Sequence, residues 1–132
     1  LGDAIHSKNR KMSWTLRHSF AFQIASGCHQ LYSRDPPVEH RDLKPSNVLL
    51  DVMGQNCRLA DFGLSKPHNP YKSKTRSRYR GTPAYSAPEM FNQHYKFTEK
   101  IDVWSYGVIL WEMISGYKPL HDVDELMIAG LV

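Results

Sequence analysis

The stretch from Thr98 to Ser115 constrains the fold more than any other part of this sequence. Drawn as a helix, it carries Ile101, Val103, Trp104, Tyr106, Val108, Ile109, Leu110, Trp111, Met113 and Ile114 on nearly all of its sides, and Gly116 stands where it should stop. A helix that is apolar all round belongs in a core. Its apolar run is interrupted by Asp102 and Glu112 and falls short of the roughly 18 uncharged residues of a membrane span, so a membrane helix is not expected. The rest of the chain, 132 residues in all, must therefore supply elements that pack around it, enough for one domain with a modest core.

Those elements are legible in outline. Ser13 is placed to cap a helix running to about Tyr32, with Ala21, Ile24, Ala25, Cys28, Leu31 and Tyr32 at helical spacing on its buried face. Ser33-Arg-Asp-Pro-Pro ends it, because two prolines cannot continue a helix. Val48-Leu-Leu and Cys57-Arg-Leu-Ala read as short strands joined by a polar Asp51–Asn56 turn containing Gly54. Residues 1–12 are polar, basic and aperiodic and are expected to be exposed. Residues 64–80 read as a basic, hydroxyl-rich loop, and a last helix is expected to start near Val123.

Charge and cysteine usage narrow the setting. The net charge of +4 suits acidic partners, phosphate groups among them. Cys28 and Cys57 form no C-x-x-C and no zinc-type spacing with the histidines, which points to small buried thiols in a reduced, intracellular and cytoplasmic protein. The chain begins at Leu1, so an upstream targeting signal would lie outside it. The run Lys72, Lys74, Arg76, Arg78, Arg80 alternates with hydroxyl residues. It reads as a regulatory or solvated loop and not as a nucleic-acid surface, since no stacking aromatics or reader motif support it.

The chemistry is carried by three segments in order: His40-Arg-Asp-Leu-Lys-Pro-Ser-Asn47, Asp61-Phe-Gly63 and Ala87-Pro-Glu89. Each triplet alone is weak; the ordered set resembles the signature of the protein kinase family. Asp102-Val-Trp-Ser-Tyr-Gly107 is similar to the start of the central helix of a kinase C-lobe. The resemblance runs from about Ser13 to the end of the chain. It implies a mainly α fold with a small β-hairpin: a partial kinase domain over residues 1–132, with the catalytic loop, activation segment and central helix but neither the N-lobe nor the last helices. When whole, this would be the α+β kinase fold. No G-x-G-x-x-G and no V-A-I-K-like lysine occurs here.

The expected activity is transfer of phosphate from Mg-ATP to serine and threonine hydroxyls of protein substrates. The spacing makes physical sense: a hairpin over the two strands would bring Asn47 back beside Asp61, an amide oxygen and a carboxylate suited to hard divalent cations. By resemblance Asp42 is the catalytic base, Lys44 a cation on the transferred phosphate, and Asn47 and Asp61 the magnesium ligands. Thr82, in Gly81-Thr-Pro-Ala-Tyr85, resembles the threonine that bonds the catalytic Asp and Lys of serine/threonine kinases. The string from Gly81 to Glu89 is most similar to the tyrosine-kinase-like branch, except that Ser86 stands where that branch usually has Met.

Arg41 and Lys66 resemble basic partners for a phosphate on the loop, at Ser77 or Thr75. His40 and Phe62 are expected to be packed structural residues. Asp102 would accept backbone N–H groups of the catalytic loop, and Glu89 would pair with an arginine in a later loop. Residues 1–132 alone are expected to be inactive. The competing function is a truncated or pseudokinase protein that only binds partners, although Asp42, Asn47 and Asp61 are all present.

Overall fold

The computed structural model describes residues 1–7, 12–67, 81–92, 98–123 and 127. Its framework is two long helices crossing over short strands. After a single turn, α1 (Gly2–Ile5), comes α2 (Trp14–Tyr32), capped by Ser13, whose Oγ accepts the Leu16 N–H at 3.2 Å. The helix ends at Ser33, before the prolines. Phe20, Ile24 and Cys28 form its buried stripe, spaced four residues apart. The expected face was thus rotated slightly: Ala25 is exposed, and Phe20 takes the central place.

The hairpin forms as expected. Strand β2 (Val48–Leu50) pairs antiparallel with β3 (Cys57–Leu59), Val48 opposite Leu59 and Leu50 opposite Cys57. Gly54 lies in the turn at φ 64, a conformation that glycine adopts without steric cost. The Asp51 carboxylate fastens the turn by accepting the Gln55 and Asn56 N–H groups and the Asn56 side-chain amide. Gly27 lets this hairpin approach α2, since a Cβ there would lie 3.0 Å from Leu59 Cγ and Cδ1. A second ladder was not anticipated: β1 (Val38–Glu39) pairs with β4 (Lys66–Pro67), which sets Glu39 opposite Lys66.

Helix α3 (Lys100–Ser115) ends at Gly116, whose φ of 75 is the left-handed stop that glycine favours. Its packing corrects the expectation of burial on every side. Ile101, Asp102, Ser105, Ile109, Glu112 and Met113 face inward, whereas Trp104 and Trp111 remain 47% and 49% exposed. Among the described residues, α2, the turn after Thr82, Ala87 and Met90 pack against its inward residues. The main core joins Phe20, Ile24, Cys28, Leu43, Val48, Cys57, Ile109 and Met113.

The first residues also differ from expectation. Leu1 is buried in that core, and its nitrogen donates to the Val48 carbonyl at 2.8 Å. Both cysteines are free and buried. No helix among the described residues is long and apolar enough to cross a membrane. The basic loop beyond Pro67, with Thr75 and Ser77, and nearly all of the expected last helix lie outside the described residues.

Candidate active site

The site is built on the loop from His40 to Asn47, and α3 holds that loop in place. Asp102, in the first turn of α3 and 1% exposed, accepts the backbone N–H groups of His40 at 2.7 Å and Arg41 at 2.8 Å, and the Tyr32 hydroxyl at 3.1 Å. Burial raises its carboxyl above the ordinary value, while the two N–H groups and the hydroxyl pull the other way. Arg41 sits at φ 70, in the left-handed region that a non-glycine residue seldom occupies. Such a conformation persists where surrounding bonds impose it, and those to Asp102 do.

His40 is fully buried, as expected of a packing residue. Its Nε2 lies 3.0 Å from the Ala60 carbonyl, and its Nδ1 lies 3.4 Å from the Asp42 N–H. The two contacts together require the Nε2–H tautomer, which ties the loop to the end of β3. The ring also meets Phe62 at 5.2 Å between centroids. Phe62 was expected in the core, yet it is 47% exposed.

The three residues assigned to catalysis by resemblance meet. Lys44 Nζ lies 3.0 Å from Asp42 Oδ2 and donates to Thr82 Oγ1 at 2.7 Å. Thr82 Oγ1 donates to Asp42 Oδ1 at 2.9 Å. This closed triangle joins the Asp42 loop to a segment 40 residues further along. Ser86 is buried, and its hydroxyl donates to the Thr82 carbonyl at 2.9 Å, so it steadies the turn that presents Thr82. Asn47 gives its amide nitrogen to the Asp42 carbonyl oxygen at 2.8 Å and to Asp42 Oδ2 at 3.1 Å.

The hairpin register differs by one residue from the simplest expectation. With Val48 opposite Leu59, the ladder continues to Ala60, whose N–H donates to the Asn47 carbonyl at 2.9 Å. Asp61 follows immediately but leaves the strand, at φ 59, and its Oδ1 accepts the Gly63 N–H at 3.3 Å. The amide nitrogen of Asn47 is committed to Asp42, which turns the amide oxygen toward other uses, and the Asp61 carboxylate is exposed. Two oxygen donors on adjoining backbone suit a hard divalent cation that completes its shell with phosphate oxygens and water. Among the described residues no group of three or more His, Cys, Asp or Glu could hold a metal.

A cavity of about 580 Å³ opens beside this triangle, lined by Lys44 and Thr82 at one end and by His6, Tyr85, Glu112 and Lys118 further along. An unforeseen bond forms part of its wall. The buried Glu112 carboxylate accepts the Tyr85 hydroxyl at 2.7 Å and meets His6 Nε2 at 2.7 Å. A charged residue inside so apolar a helix was the available signal, since buried charge demands partners.

A family model described as "Protein kinase domain" matches residues 1–130. The chain belongs to the protein kinase family. It is 42% identical over 126 residues to MDIS1-interacting receptor like kinase 1 of Arabidopsis thaliana, covering 92% of this chain and 12% of that protein. It is 40% identical over 129 residues to a probable serine/threonine-protein kinase of Dictyostelium discoideum, covering 98% of this chain and 13% of the relative. Among solved structures it resembles a chain from the crystal structure of the yeast RNA Pol II CTD kinase CTDK-1 complex. That match has a TM-score of 0.81 at 26% identity and covers 98% of this chain and 41% of the other. The chain thus spans about an eighth of the length of the two kinase relatives.

Of the regulatory residues suggested by the sequence, Arg41 and Lys66 are described. The Arg41 guanidinium donates through two nitrogens to Glu39 Oε2, at 2.8 and 2.6 Å. Lys66 is exposed on β4, opposite Glu39. The carboxylate of Glu89 is half-buried, with no side-chain partner among the described residues.

Proposed function

We propose that the chain is the catalytic-loop, activation-segment and central-helix part of a serine/threonine protein kinase, which transfers phosphate from Mg-ATP to protein hydroxyls. The observation that carries this reading is the closed Asp42–Lys44–Thr82 triangle, in a loop hung by its backbone from Asp102. The N-lobe and the last helices of the domain are assigned to the remainder of the protein, in keeping with the small share of each relative that is matched.

In this reading Asp42 accepts the proton of the attacking hydroxyl. Thr82 and Asn47 each bond one of its carboxylate oxygens, so the base is oriented from two sides. Lys44 places its charge beside that carboxylate, where it would meet a phosphoryl group in transfer. Asn47 and Asp61 would hold magnesium, which when bound neutralises phosphate charge. Serine and threonine are preferred because Lys44 and Thr82 bridge the space beside Asp42 and suit a short hydroxyl side chain. Thr75 and Ser77 are proposed as phosphorylation sites acting on Arg41 and Lys66, and no nucleic-acid partner is proposed.

The full-length protein, assayed on degenerate serine, threonine and tyrosine peptide arrays, tests this. Asp42→Asn should lower kcat by about 10²–10⁴-fold, the range for loss of a general base. Transfer unchanged in Asp42→Asn, or predominant labelling of tyrosine, would overturn the respective part of the reading.

A further inference from the structure

Helix α3 carries three buried polar side chains on its inward face, Asp102, Ser105 and Glu112. Asp102 takes up the catalytic loop. The other two take up Tyr85, in the turn Pro83–Tyr85 that follows Thr82. Ser105 Oγ lies 2.7 Å from the Tyr85 carbonyl oxygen and 3.1 Å from the carbonyl of Ile101, one turn back in its own helix. A hydroxyl has one proton to donate, and the shorter contact takes it. Glu112 accepts the Tyr85 hydroxyl.

These two holds on Tyr85 differ in kind. The phenol ends a side chain that can swing about two torsions, so Glu112 limits the ring more than the main chain. The Thr82 carbonyl accepts the Tyr85 N–H at 3.0 Å and the Ser86 hydroxyl at 2.9 Å, bonds that lie inside the turn and fix its shape, not its place on α3. The apolar cluster of Ala87, Met90 and Ile101 just beyond has no directional bond to offer. Ser105 gives the main chain of the turn a directed bond to the helix. Such a hold from behind matters because Lys44 and Asp42, which meet the Thr82 hydroxyl in front, are both engaged elsewhere during transfer, with the phosphoryl group and with the attacking hydroxyl.

We propose that Ser105 is a positioning residue for phosphoryl transfer, which sets Thr82 against Asp42 by holding the Tyr85 carbonyl. The proposal rests on the kinase reading above. Asp102 and Ser105 stand three residues apart, about 4.5 Å along the axis. The base and the threonine that orients it are thus both registered on one rigid rod. The competing account is that Ser105 only bonds back to Ile101 and fills its site.

The test uses the full-length protein with Ser105→Ala, Thr82→Ala and both together. Ser105→Ala should lower kcat at least about tenfold with the peptide KM nearly unchanged, because a small misplacement at the reacting centre is costly. In the Thr82→Ala background the same substitution should change kcat by less than about twofold, since the hydroxyl it places is gone. A packing defect would lower kcat by the same factor in both backgrounds, and that result would overturn the proposal, as would kcat in Ser105→Ala within about twofold of wild type. Should Ser105→Ala not fold, Ser105→Cys, which keeps a weak donor of similar shape, enters the same cycle and is judged by the same comparison. A second measurement needs no catalysis: the Thr82 methyl signal in carbon-13 NMR should shift or broaden in the Ser105 variant, while that of Thr15, at the start of α2, stays in place. If the wild type transfers no phosphate in any state, the kinase reading fails, and the Thr82 methyl then decides whether Ser105 places this residue. An unmoved signal would overturn that placement as well.

Discussion

Replacing Asp102 with alanine should release the catalytic loop from α3, and the size of the effect follows from what the carboxylate holds. It accepts two backbone N–H groups and one hydroxyl at 2.7, 2.8 and 3.1 Å. Tyr32 is partly exposed and can turn to water, so the lasting loss is the two N–H groups of His40 and Arg41. A buried donor left unpaired costs about 1–3 kcal/mol, or about 2–6 kcal/mol for the two. Part of this is offset, because alanine also ends the burial of a carboxylate, the same burial that raises the Asp102 carboxyl above its ordinary value. The expected net loss is about 2–4 kcal/mol. Native-state hydrogen exchange reads it directly: the His40 and Arg41 amides should exchange roughly 30- to 1000-fold faster, at 1.36 kcal/mol per tenfold. Amides near Ile24, inside α2, should change much less. Asp102→Asn keeps one acceptor oxygen and should fall between wild type and alanine. Exchange at His40 and Arg41 within threefold of wild type in Asp102→Ala would refute the claim that this side chain suspends the loop.

Two further predictions concern groups outside the triangle. Burial pushes the Cys28 thiol up to about 12 and the Cys57 thiol up to about 11, so neither should be alkylated in the native protein at pH 8, and both should react on unfolding. Because the unfolded thiols ionise near 9.0, stability should fall as pH rises from there toward those folded values; rapid native-state labelling would contradict the burial. The Asp51 carboxyl is held below 3.8 by the Asn56 side chain first and then by the Gln55 and Asn56 N–H groups. Its contribution to the hairpin should be present above pH 3.8 and lost as pH falls through the folded value, which carbon-13 NMR titration of Asp51 would show, with Asp51→Asn abolishing the effect.

What could be read from the sequence follows from the range of the interactions involved. Helix α2 was legible to the residue because its limits are local: Ser13 caps one end and two prolines close the other. The hairpin was equally local, with Gly54 and a six-residue turn between two short strands. The β1–β4 ladder was not, since it joins two-residue segments 28 positions apart that carry no periodicity of their own. The exposed side of α3 misled for a related reason. Composition shows that a side chain is apolar, but exposure depends on what covers it, and Trp104 and Trp111 are left half open by the described residues.

The sequence suggested which residues to gather into a candidate site, and it did not suggest how they are fastened. The order of the motifs named Asp42, Lys44, Asn47 and Asp61, and Thr82 came through resemblance alone, since nothing in the sequence ties it to a loop 40 residues earlier. The connections lie in buried polar groups, where apolar periodicity carries no information. Glu39, His40, Asn47, Asp102, Ser105 and Glu112 are all buried, and each is bonded to a segment that must be held in place. An unpaired buried polar group costs free energy, so each favours one geometry of the backbone or segments it bonds. The apolar core brings α2, the hairpin and α3 together, and many side chains of similar volume could do that. The polar set then selects one arrangement of the Asp42 loop on that core. Substitutions in the apolar core should therefore lower stability with catalysis intact, whereas those in the polar set should misplace Asp42 before they unfold the protein.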